Sequence, residues 1–315
     1  MSGTRRTAKG GTFPERTGEP LPFEYFAPPR EAAGTRAVEL ALDVVRIRLE
    51  GLDDALADAL VARFGPYARE EERPAPGALV VRCARDRREY YIDPPATAEF
   101  NPVWLAFDGG RVRYLGYRTA GWFDVERLAG ELLVADGSYE PAPRAVENFL
   151  RCAVAWRAVA AGGALVHAAS AVRAGRAYLF YGSSGAGKST LSASDRRGRV
   201  ISDDLTLALP RGDGGLDLVG SPFRGTYEEG APVVGRFPLV AGFRIVQASE
   251  ARVRAVPRAL AFGQLVASLT FVAEAFGSRP ELFARVEAAF ATVPLHWLEF
   301  RRDDSYWDAI EAAGL

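Results

Sequence analysis

The sequence predicts an α/β fold in which the second half of the chain forms a mixed sheet around a glycine-rich loop. Apolar strand-like runs alternate with helical patterns along most of the chain, which is typical of α/β proteins. Two apolar runs, 164–168 and 177–181, flank a polar turn and indicate a hairpin that leads directly into the loop. Two adjacent acids, Asp203 and Asp204, follow soon after it. A hairpin before the loop and acids so early after it favour mixed strand directions.

The chain divides into three parts by composition and periodicity. Residues 1–36 are rich in Gly, Pro, Thr and Arg and lack periodicity, so we predict a flexible arm. Residues 37–140 are predicted to form a small α/β module of unknown role. Residues 141–315 contain the glycine-rich loop and are predicted to form a second domain. Two domains also suit a chain of 315 residues, because single domains usually contain about 100–200.

The first module is predicted from several strand patterns and one helix. Apolar residues recur at helical spacing over 52–64, and the following Gly65-Pro66 is a stop signal. The strand patterns cover residues 38–48, 79–92 (two strands around a charged turn), 103–107 and 112–117. We therefore expect a sheet with at least one helix against it.

The second domain is predicted to begin with a long amphipathic helix over 144–161, which Gly162-Gly163 ends. The hairpin and the loop follow. Farther on, the patterns predict strands at 239–246 and 295–300 and helices at 259–276 and 280–291. Residues 301–304, two arginines and two aspartates, are predicted to form a solvated turn and not a second metal site.

The composition excludes several classes of partner and site. Hydrophobic residues make up 48% and charged residues 25% of the chain, and the net charge is −1. Because there is no basic excess, we expect neither a nucleic-acid nor a membrane partner. No apolar run reaches about 18 residues and no signal peptide is visible, so a cytoplasmic location is expected. Cys83 and Cys152 belong to no CxxC or Cys/His cluster and are expected to be buried thiols.

The glycine-rich loop fits the phosphate-binding pattern G-x-x-x-x-G-K-[ST] at every fixed position. Its residues are Gly182, Ser183, Ser184, Gly185, Ala186, Gly187, Lys188, Ser189 and Thr190. The glycines let the backbone curl so that its N–H groups surround an anion. Lys188 is expected to reach the β- and γ-phosphates, and the Ser189 hydroxyl to bind Mg²⁺. The loop therefore predicts binding of ATP and Mg²⁺. The alternatives are a glycine-rich turn with a surface lysine, or a nucleotide sensor without catalysis.

Three further side chains are candidates for chemistry near this loop. Asp203 and Asp204 stand at the end of a short apolar strand, with room for only one helix and that strand after Lys188. One carboxylate could hold Mg²⁺ and the other could accept the proton of a hydroxyl. His167, in the strand before the loop, would ordinarily be a core residue. His296 has no visible partner and is expected to be structural.

These residues resemble a known family, HPr kinase/phosphorylase, and more closely the wider group of HPr-kinase-related proteins. The resemblance rests on residues 166–172 (VHAASAV), the phosphate loop, the SDD segment at 202–204 and the GSPF segment at 220–223. It covers roughly residues 145–225 and is weaker beyond them. The resemblance implies the phosphoenolpyruvate-carboxykinase-like P-loop fold, with its mixed sheet.

The family resemblance also implies roles for the site residues. Asp203 would be the general base, and Asp204 and Ser189 would bind Mg²⁺, although the two aspartates could exchange roles. His167 would lie near the phosphates. The chain departs from the family in residues 37–140 and in the shorter stretch from lysine to acids. Only 224–225 and 228–229 are loose matches to the family's Glu-x-Arg-Gly segment.

The resulting prediction is an ATP-dependent kinase that phosphorylates a hydroxyl, most simply a serine, of a protein, peptide or small molecule. A nucleotide-binding regulatory or assembly protein without phosphotransfer is the first alternative. A conventional P-loop ATPase or GTPase with a parallel sheet is the second. The acceptor is left open, and a homo-oligomer is compatible with the sequence.

Overall fold

The computed structural model divides the chain into two compact units, Met1–Arg157 and Ala158–Leu315. It describes residues 4–7, 31–92, 94, 102–108, 110–225 and 231–315. Each unit contains its own sheet. Mixed sheets with helices confirm the predicted α/β class.

The first unit contains a sheet of nine strands among its described residues, in the order β1-β6-β7-β8-β9-β5-β3-β2-β4. The strands are β1 (Thr4–Thr7), β2 (Arg36–Leu42), β3 (Val45–Leu52), β4 (Ala68–Arg69), β5 (Leu79–Asp86), β6 (Pro102–Asp108), β7 (Arg111–Leu115), β8 (Thr119–Asp124) and β9 (Ala129–Ala135). Strands β3, β5 and β9 run parallel to one another, and the other pairs are antiparallel.

Parts of the predicted arm have regular structure. Strand β1 pairs with β6, which differs from the flexible arm predicted for residues 1–36. Residues 8–30 of that arm lie outside the described residues. Strand β2 begins at Arg36, one residue before the predicted start of the first module at 37.

Helix α1 (Asp54–Phe64) confirms the predicted helix of the first unit. The Asp53 side chain accepts a hydrogen bond from the Leu56 amide at its N-terminus, which stabilises the first turn. Gly65, at φ 51°, ends the helix, and a short 3₁₀ helix (Gly65–Tyr67) follows. Gly65-Pro66 therefore ends the helix, as the sequence predicted.

Helix α2 (Ala142–Ala160) packs against strands of the first unit through aromatic side chains. The ring of Phe149 lies 5.4 Å from that of Tyr114 and 5.7 Å from that of Phe123. Trp156 lies 5.3 Å from Phe107. Because aromatic pairs of this kind stabilise the packing, most of the helix belongs to the first unit. The two units divide within the last turn of this helix, after Arg157, whereas the sequence predicted a division at 140/141.

The second unit contains eight strands and four helices among its described residues. Its strands are β10 (Ala164–Arg173), β11 (Arg176–Tyr181), β12 (Arg199–Ser202), β13 (Leu205–Pro210), β14 (Leu216–Val219), β15 (Arg236–Gln247), β16 (Arg252–Ala255) and β17 (Leu295–Phe300). Its helices are α3 (Lys188–Ser194), α4 (Arg258–Val266), α5 (Pro280–Ala289) and α6 (Tyr306–Ala312). In the part of the chain described, no helix combines the length and apolar character needed to cross a bilayer.

The sheet of the second unit is mixed around β11. The strands follow the order β11-β10-β13-β14-β15-β17-β16, with β12 also on β10 and β15 also on β11. Strand β11 is antiparallel to β10 and parallel to β15. The predicted hairpin is confirmed as β10–β11, and its turn contains Ala174 and Gly175, both at positive φ. The strand that leads to the loop therefore has neighbours of both directions.

The helix predicted over 259–276 ends early, at Val266. The Ser268 carbonyl accepts a hydrogen bond from the His167 amide at 2.8 Å, and Leu269 forms a β-bridge with Val166. A backbone that pairs with strand β10 cannot continue its helical hydrogen bonds. Only a short 3₁₀ helix (Ala273–Ala275) follows before α5, and the long-helix prediction is wrong in this part.

Aromatic residues from strands and the last helix form the core behind the loop. Phe180 stacks on Phe243 with ring centroids 5.8 Å apart, and Trp307 of α6 packs edge-on against Tyr178. The Trp307 indole N–H donates to the Asp195 carboxylate at 3.0 Å. Burial of one such ring contributes about 1.5–3 kcal/mol. Helix α6, which the sequence patterns did not predict, therefore closes the core beneath the loop.

Candidate functional site

The glycine-rich loop connects β11 directly to α3, as its motif predicts. Gly185 and Gly187 have φ angles of 79° and 103°, a conformation that favours glycine. A Cβ on Gly187 would lie 2.8 Å from the Phe300 ring. Glycine is therefore required at 187 both for its backbone conformation and for space.

Lys188 folds back over this loop. Its ammonium donates to the carbonyl oxygens of Gly182 at 3.0 Å and Ser183 at 3.2 Å, and the residue is only 7% exposed. Burial lowers the pKa of Lys188, and the negative charge of Asp204 opposes that shift. An ammonium has three donors, so one remains for an anion held by the loop.

Strand pairing brings the two acids to the same end of the sheet as the loop. Asp203 and Asp204 connect β12 to β13, and both of these strands pair with β10, the neighbour of β11. The Asp204 carbonyl accepts from the Ala168 amide at 2.9 Å. The Asp204 amide donates to the Ser202 hydroxyl at 3.2 Å. Strand β10 therefore ties the acids to the hairpin that leads into the loop.

His167 and Asp204 lie close together because their strands pair. His167 is on β10, and Asp204 directly precedes β13, which pairs with β10. His167 Nε2 lies 3.4 Å from Asp204 Oδ1, and their side chains are 30% and 25% exposed. His167 is therefore neither a core histidine nor isolated. Asp204 also acts electrostatically on Lys188. The same carboxylate therefore interacts with both His167 and the ammonium of the loop lysine.

The two aspartates differ in their surroundings. Asp203 is 3% exposed, and its Oδ1 accepts a hydrogen bond from the Gly225 amide at 2.7 Å. Asp204 is partly exposed and lies beside His167. An acceptor molecule can therefore reach the carboxylate of Asp204 more readily than that of Asp203.

Gly225 is a site residue that the sequence indicated only as part of a loose match at 224–225. A Cβ at this position would lie 2.9 Å from Asp203 Oδ2 and 3.2 Å from the Cβ of Asp204. The preceding segment is held by the Ser202 hydroxyl, which donates to the Phe223 carbonyl at 2.9 Å. The other loose match, 228–229, lies outside the described residues. The GSPF segment was the sequence signal that could have led to Gly225.

We predict that Gly225→Ala displaces the aspartate pair. The added methyl group would press against both acids, and strain of this kind typically costs about 1–3 kcal/mol. We expect at least a tenfold loss of any activity that depends on Asp203 or Asp204, together with a lower melting temperature. Gly212→Ala is the matched control, because nothing lies within 4 Å of its Cβ position. Equal activity in the two variants would contradict this role.

The donors present suit Mg²⁺ held partly by a substrate. Among the described residues, no group of three or more His, Cys, Asp or Glu side chains could hold a metal. Mg²⁺ commonly takes only one or two carboxylates, keeps several waters and binds substrate phosphates. The Ser189 hydroxyl and one carboxylate of the Asp203–Asp204 pair would supply the protein ligands. The open backbone at Gly185, where a Cβ would meet nothing within 4 Å, leaves room for phosphates.

Both cysteines are buried thiols outside any disulfide, as predicted. Cys83 lines a cavity of about 330 Å³ in the first unit. Burial raises the pKa of the Cys83 thiol to about 12, so it stays protonated at neutral pH. A thiol of this kind is a poor nucleophile, and this cavity is therefore not a cysteine-based active site.

His296 is a partly buried residue that packs against the core, in agreement with its structural assignment. Its ring lies 5.9 Å from that of Phe243, and in the described part of the chain both ring nitrogens are buried without a hydrogen-bond partner. Burial lowers the pKa of His296. The neutral form therefore stabilises the folded protein, and the residue lies outside the candidate site.

His296 should make the folded state sensitive to acid. Unfolded histidine titrates near pH 6.5, and the folded value is lower. The unfolded chain therefore binds a proton first, and stability falls as the pH drops below about 6.5. We expect His296→Phe to reduce the loss of unfolding free energy between pH 7.5 and 5.5, as measured by urea denaturation. An unchanged loss in the variant would assign the acid sensitivity to other groups.

Two comparisons with known proteins gave no match. No protein-family model matches the chain, and a search of curated proteins finds no match. What the protein does must therefore be inferred from its own residues, above all Lys188, Asp204 and His167.

Proposed function

We propose that this protein is an ATP-dependent kinase that transfers the γ-phosphate to a hydroxyl, most simply a serine, of a protein, peptide or small molecule. The observation that supports this proposal most directly is the position of Asp204. Its Oδ1 lies 3.4 Å from His167 Nε2, and its carboxylate interacts electrostatically with Lys188. A carboxylate beside the lysine of a phosphate loop can accept the proton of an attacking hydroxyl. A loop that only sensed nucleotide would not need this group.

The chain's own groups account for nucleotide binding. The backbone amides of residues 182–190 would surround the phosphates, and the remaining donor of Lys188 would bind their outer oxygens. The Ser189 hydroxyl and an aspartate of the pair would hold Mg²⁺, which neutralises phosphate charge when bound. The positive φ angles at Gly185 and Gly187 support a backbone shaped for an anion.

The roles of the two aspartates follow from their exposure. We assign Asp204 as the base that takes the proton from the acceptor hydroxyl, with His167 orienting its carboxylate. Asp203, held by the Gly225 amide, positions the connection that carries Asp204. Asp203 would then be the aspartate of the pair that holds Mg²⁺, which is the exchange of roles that the sequence left open. It is favoured because a buried carboxylate is out of reach of a bulky acceptor.

The fold supports an HPr-kinase-like domain over a conventional P-loop ATPase or GTPase. In the conventional class the loop follows a strand of a parallel sheet, whereas here β11 has an antiparallel neighbour in β10. The acids also come directly after β12, the first strand after α3. Both features are expected of the phosphoenolpyruvate-carboxykinase-like fold that the sequence resemblance implies, and we propose that fold for the second unit.

The test is a comparison of phosphorylated proteins and peptides in the host with and without a functional Lys188. Species that lose phosphate in a Lys188→Met strain would then be incubated with the purified protein and γ-labelled ATP. The kinase proposal predicts transfer of label to a serine or similar hydroxyl. ATP-dependent capture of a partner without any transfer would instead favour the nucleotide-binding regulator.

A further inference from the structure

The cavity of about 330 Å³ in the first unit lies at the carboxyl ends of three parallel strands. Its lining residues include Leu52, the last residue of β3, and Ala135, the last residue of β9. Strand β5, which lies between these two strands, contributes Arg85 from its own carboxyl end. Ligands of open α/β sheets bind outside the carboxyl ends of the strands. The sheet therefore places this cavity where a ligand site is expected.

The larger part of the cavity wall is aliphatic and made of small side chains. Six of the lining residues are alanines, namely Ala33, Ala55, Ala59, Ala84, Ala135 and Ala142. Because an alanine side chain is a single methyl group, these positions leave the space open. The volume lies at the lower end of the range for small-molecule sites, about 300–1,000 Å³. A short aliphatic group fits a space of this size and surface.

Four charged side chains line the same cavity, and their charges balance. They are Asp53, Arg85, Arg118 and Asp136. Arg85 Nε donates to Asp136 Oδ1 at 2.5 Å, and the negative charge of Asp53 also acts on Arg85. With two acids and two arginines, the wall suits neither a simple anion nor a simple cation. It favours a ligand that carries both a positive and a negative group.

Each of the two acids keeps one carboxylate oxygen for a further hydrogen bond. Asp53 Oδ1 accepts from the Leu56 amide at 2.8 Å, and Asp136 Oδ1 accepts from Arg85. Within the described part of the chain, no donor bonds to Oδ2 of Asp53 or of Asp136. Carboxylate oxygens form strong, charge-assisted hydrogen bonds with an ammonium group. These two oxygens can therefore hold the positive end of a ligand.

Arg118 has hydrogen-bonding capacity left for the negative end. Its Nε and Nη2 atoms donate to the Ala135 carbonyl at 3.1 and 2.7 Å, and Nη1 donates to the Glu140 carbonyl. A guanidinium has five N–H donors, so two remain. Among the residues that the structure describes, no carboxylate bonds to this guanidinium. Burial lowers the pKa of Arg118, and the charge of Glu140 opposes that shift from a distance. A ligand carboxylate would supply a direct counter-charge.

We propose that this cavity binds a free α-amino acid with an aliphatic side chain. The ammonium group would bind the open oxygens of Asp53 and Asp136, and the carboxylate would bind the two remaining donors of Arg118. The side chain would lie against the alanines. Such a site gives the first unit a binding role of its own, whether or not the second unit is a kinase.

The first test measures, by calorimetry on the full chain, the affinity for leucine and for three compounds that each lack one part of it. 4-Methylpentanoate lacks the ammonium group, 3-methylbutylamine lacks the carboxylate, and glycine lacks the aliphatic chain. Leucine is expected to bind, and each of the other three at least about tenfold more weakly. The reason is the loss of a charge-assisted hydrogen bond in the first two and of apolar burial in glycine.

Two variants locate the ligand in the cavity. Ala59→Phe adds a ring at the cavity wall and is expected to weaken leucine binding at least about tenfold. Ala62→Phe is its matched control, because Ala62 is exposed on the same helix and does not line the cavity. Asp53→Asn keeps the oxygen that caps α1 and removes only the charge. It should weaken leucine binding about tenfold and leave the affinity for 4-methylpentanoate unchanged.

Three results would each overturn the proposed amino-acid site. The first is a parent protein that binds none of leucine, isoleucine and valine. The second is equal affinity for leucine and 4-methylpentanoate, which would rule out recognition of the ammonium group. The third is equal leucine affinity in Ala59→Phe and Ala62→Phe, which would place the ligand elsewhere. None of these results bears on the proposed kinase function, because the cavity and the phosphate loop belong to different units.

Discussion

Replacing Lys188 with alanine is expected to reduce ATP affinity and phosphoryl transfer by at least about 100-fold, because one preorganised cationic donor to the phosphates is lost. The chain contains only two lysines among its 39 basic residues. Arginine is thus the ordinary basic residue of this protein, and lysine stands at the one loop position that the phosphate motif specifies. The side chain is buried in its own loop, so its effect is local.

Binding can be followed without knowledge of the acceptor. Lysine acylation reports on only two sites, Lys188 and Lys9. ATP with Mg²⁺ is expected to protect Lys188 from acylation and to leave Lys9 reactive, which makes Lys9 the internal control. The melting temperature of Lys188→Met should stay close to that of the parent, since burial of the ammonium is itself unfavourable. Full ATP affinity in a folded Lys188 variant would refute the loop as the nucleotide site.

Asp204→Asn is expected to lower kcat for phosphoryl transfer by about 10²–10⁴-fold, which is the usual contribution of a general base. Asparagine has nearly the same shape but cannot take a proton from the acceptor hydroxyl. ATP affinity should change little, because Lys188 and the loop amides are retained. Transfer of label from γ-labelled ATP, followed at saturating ATP, measures this effect.

Asp203→Asn is the matched comparison for this prediction. The amide oxygen of asparagine can still accept the hydrogen bond that Gly225 donates to Asp203. That oxygen can also replace the carboxylate as a ligand of Mg²⁺, so the Asp203 variant should keep kcat within about tenfold of the parent. The reverse order, with Asp203→Asn the more damaging change, would restore Asp203 as the base. Equal transfer by both variants and the parent would remove the pair from the mechanism.

Local sequence was sufficient for the loop and its surrounding elements. The spacing of Gly182, Gly187 and Lys188 specifies a backbone conformation that only a few residue types allow, so the motif could be recognised without the fold. The hairpin of β10 and β11 and the end of α1 at Gly65 were also predictable, since each depends on residues close together in the chain. Elements of this kind reflect local conformational preference.

Contacts between distant segments could not be predicted in this way. Helix α4 ends at Val266 because the following backbone bonds to strand β10, and no residue in the helix signals that partner. The aromatic face of α2 suited either unit, and the rings of the first sheet determined where it packs. Gly225 was only a loose match until its amide was seen beside Asp203.

From its amino acids alone, this protein could be recognised as an α/β chain with a phosphate-binding loop, two nearby acids and a histidine of uncertain use. The pairing of His167 with Asp204 and the different burial of the two aspartates emerged from the folded arrangement. The physical reason is that β10 pairs with β11, β12 and β13, so backbone hydrogen bonds between strands set these distances, and local sequence does not encode them.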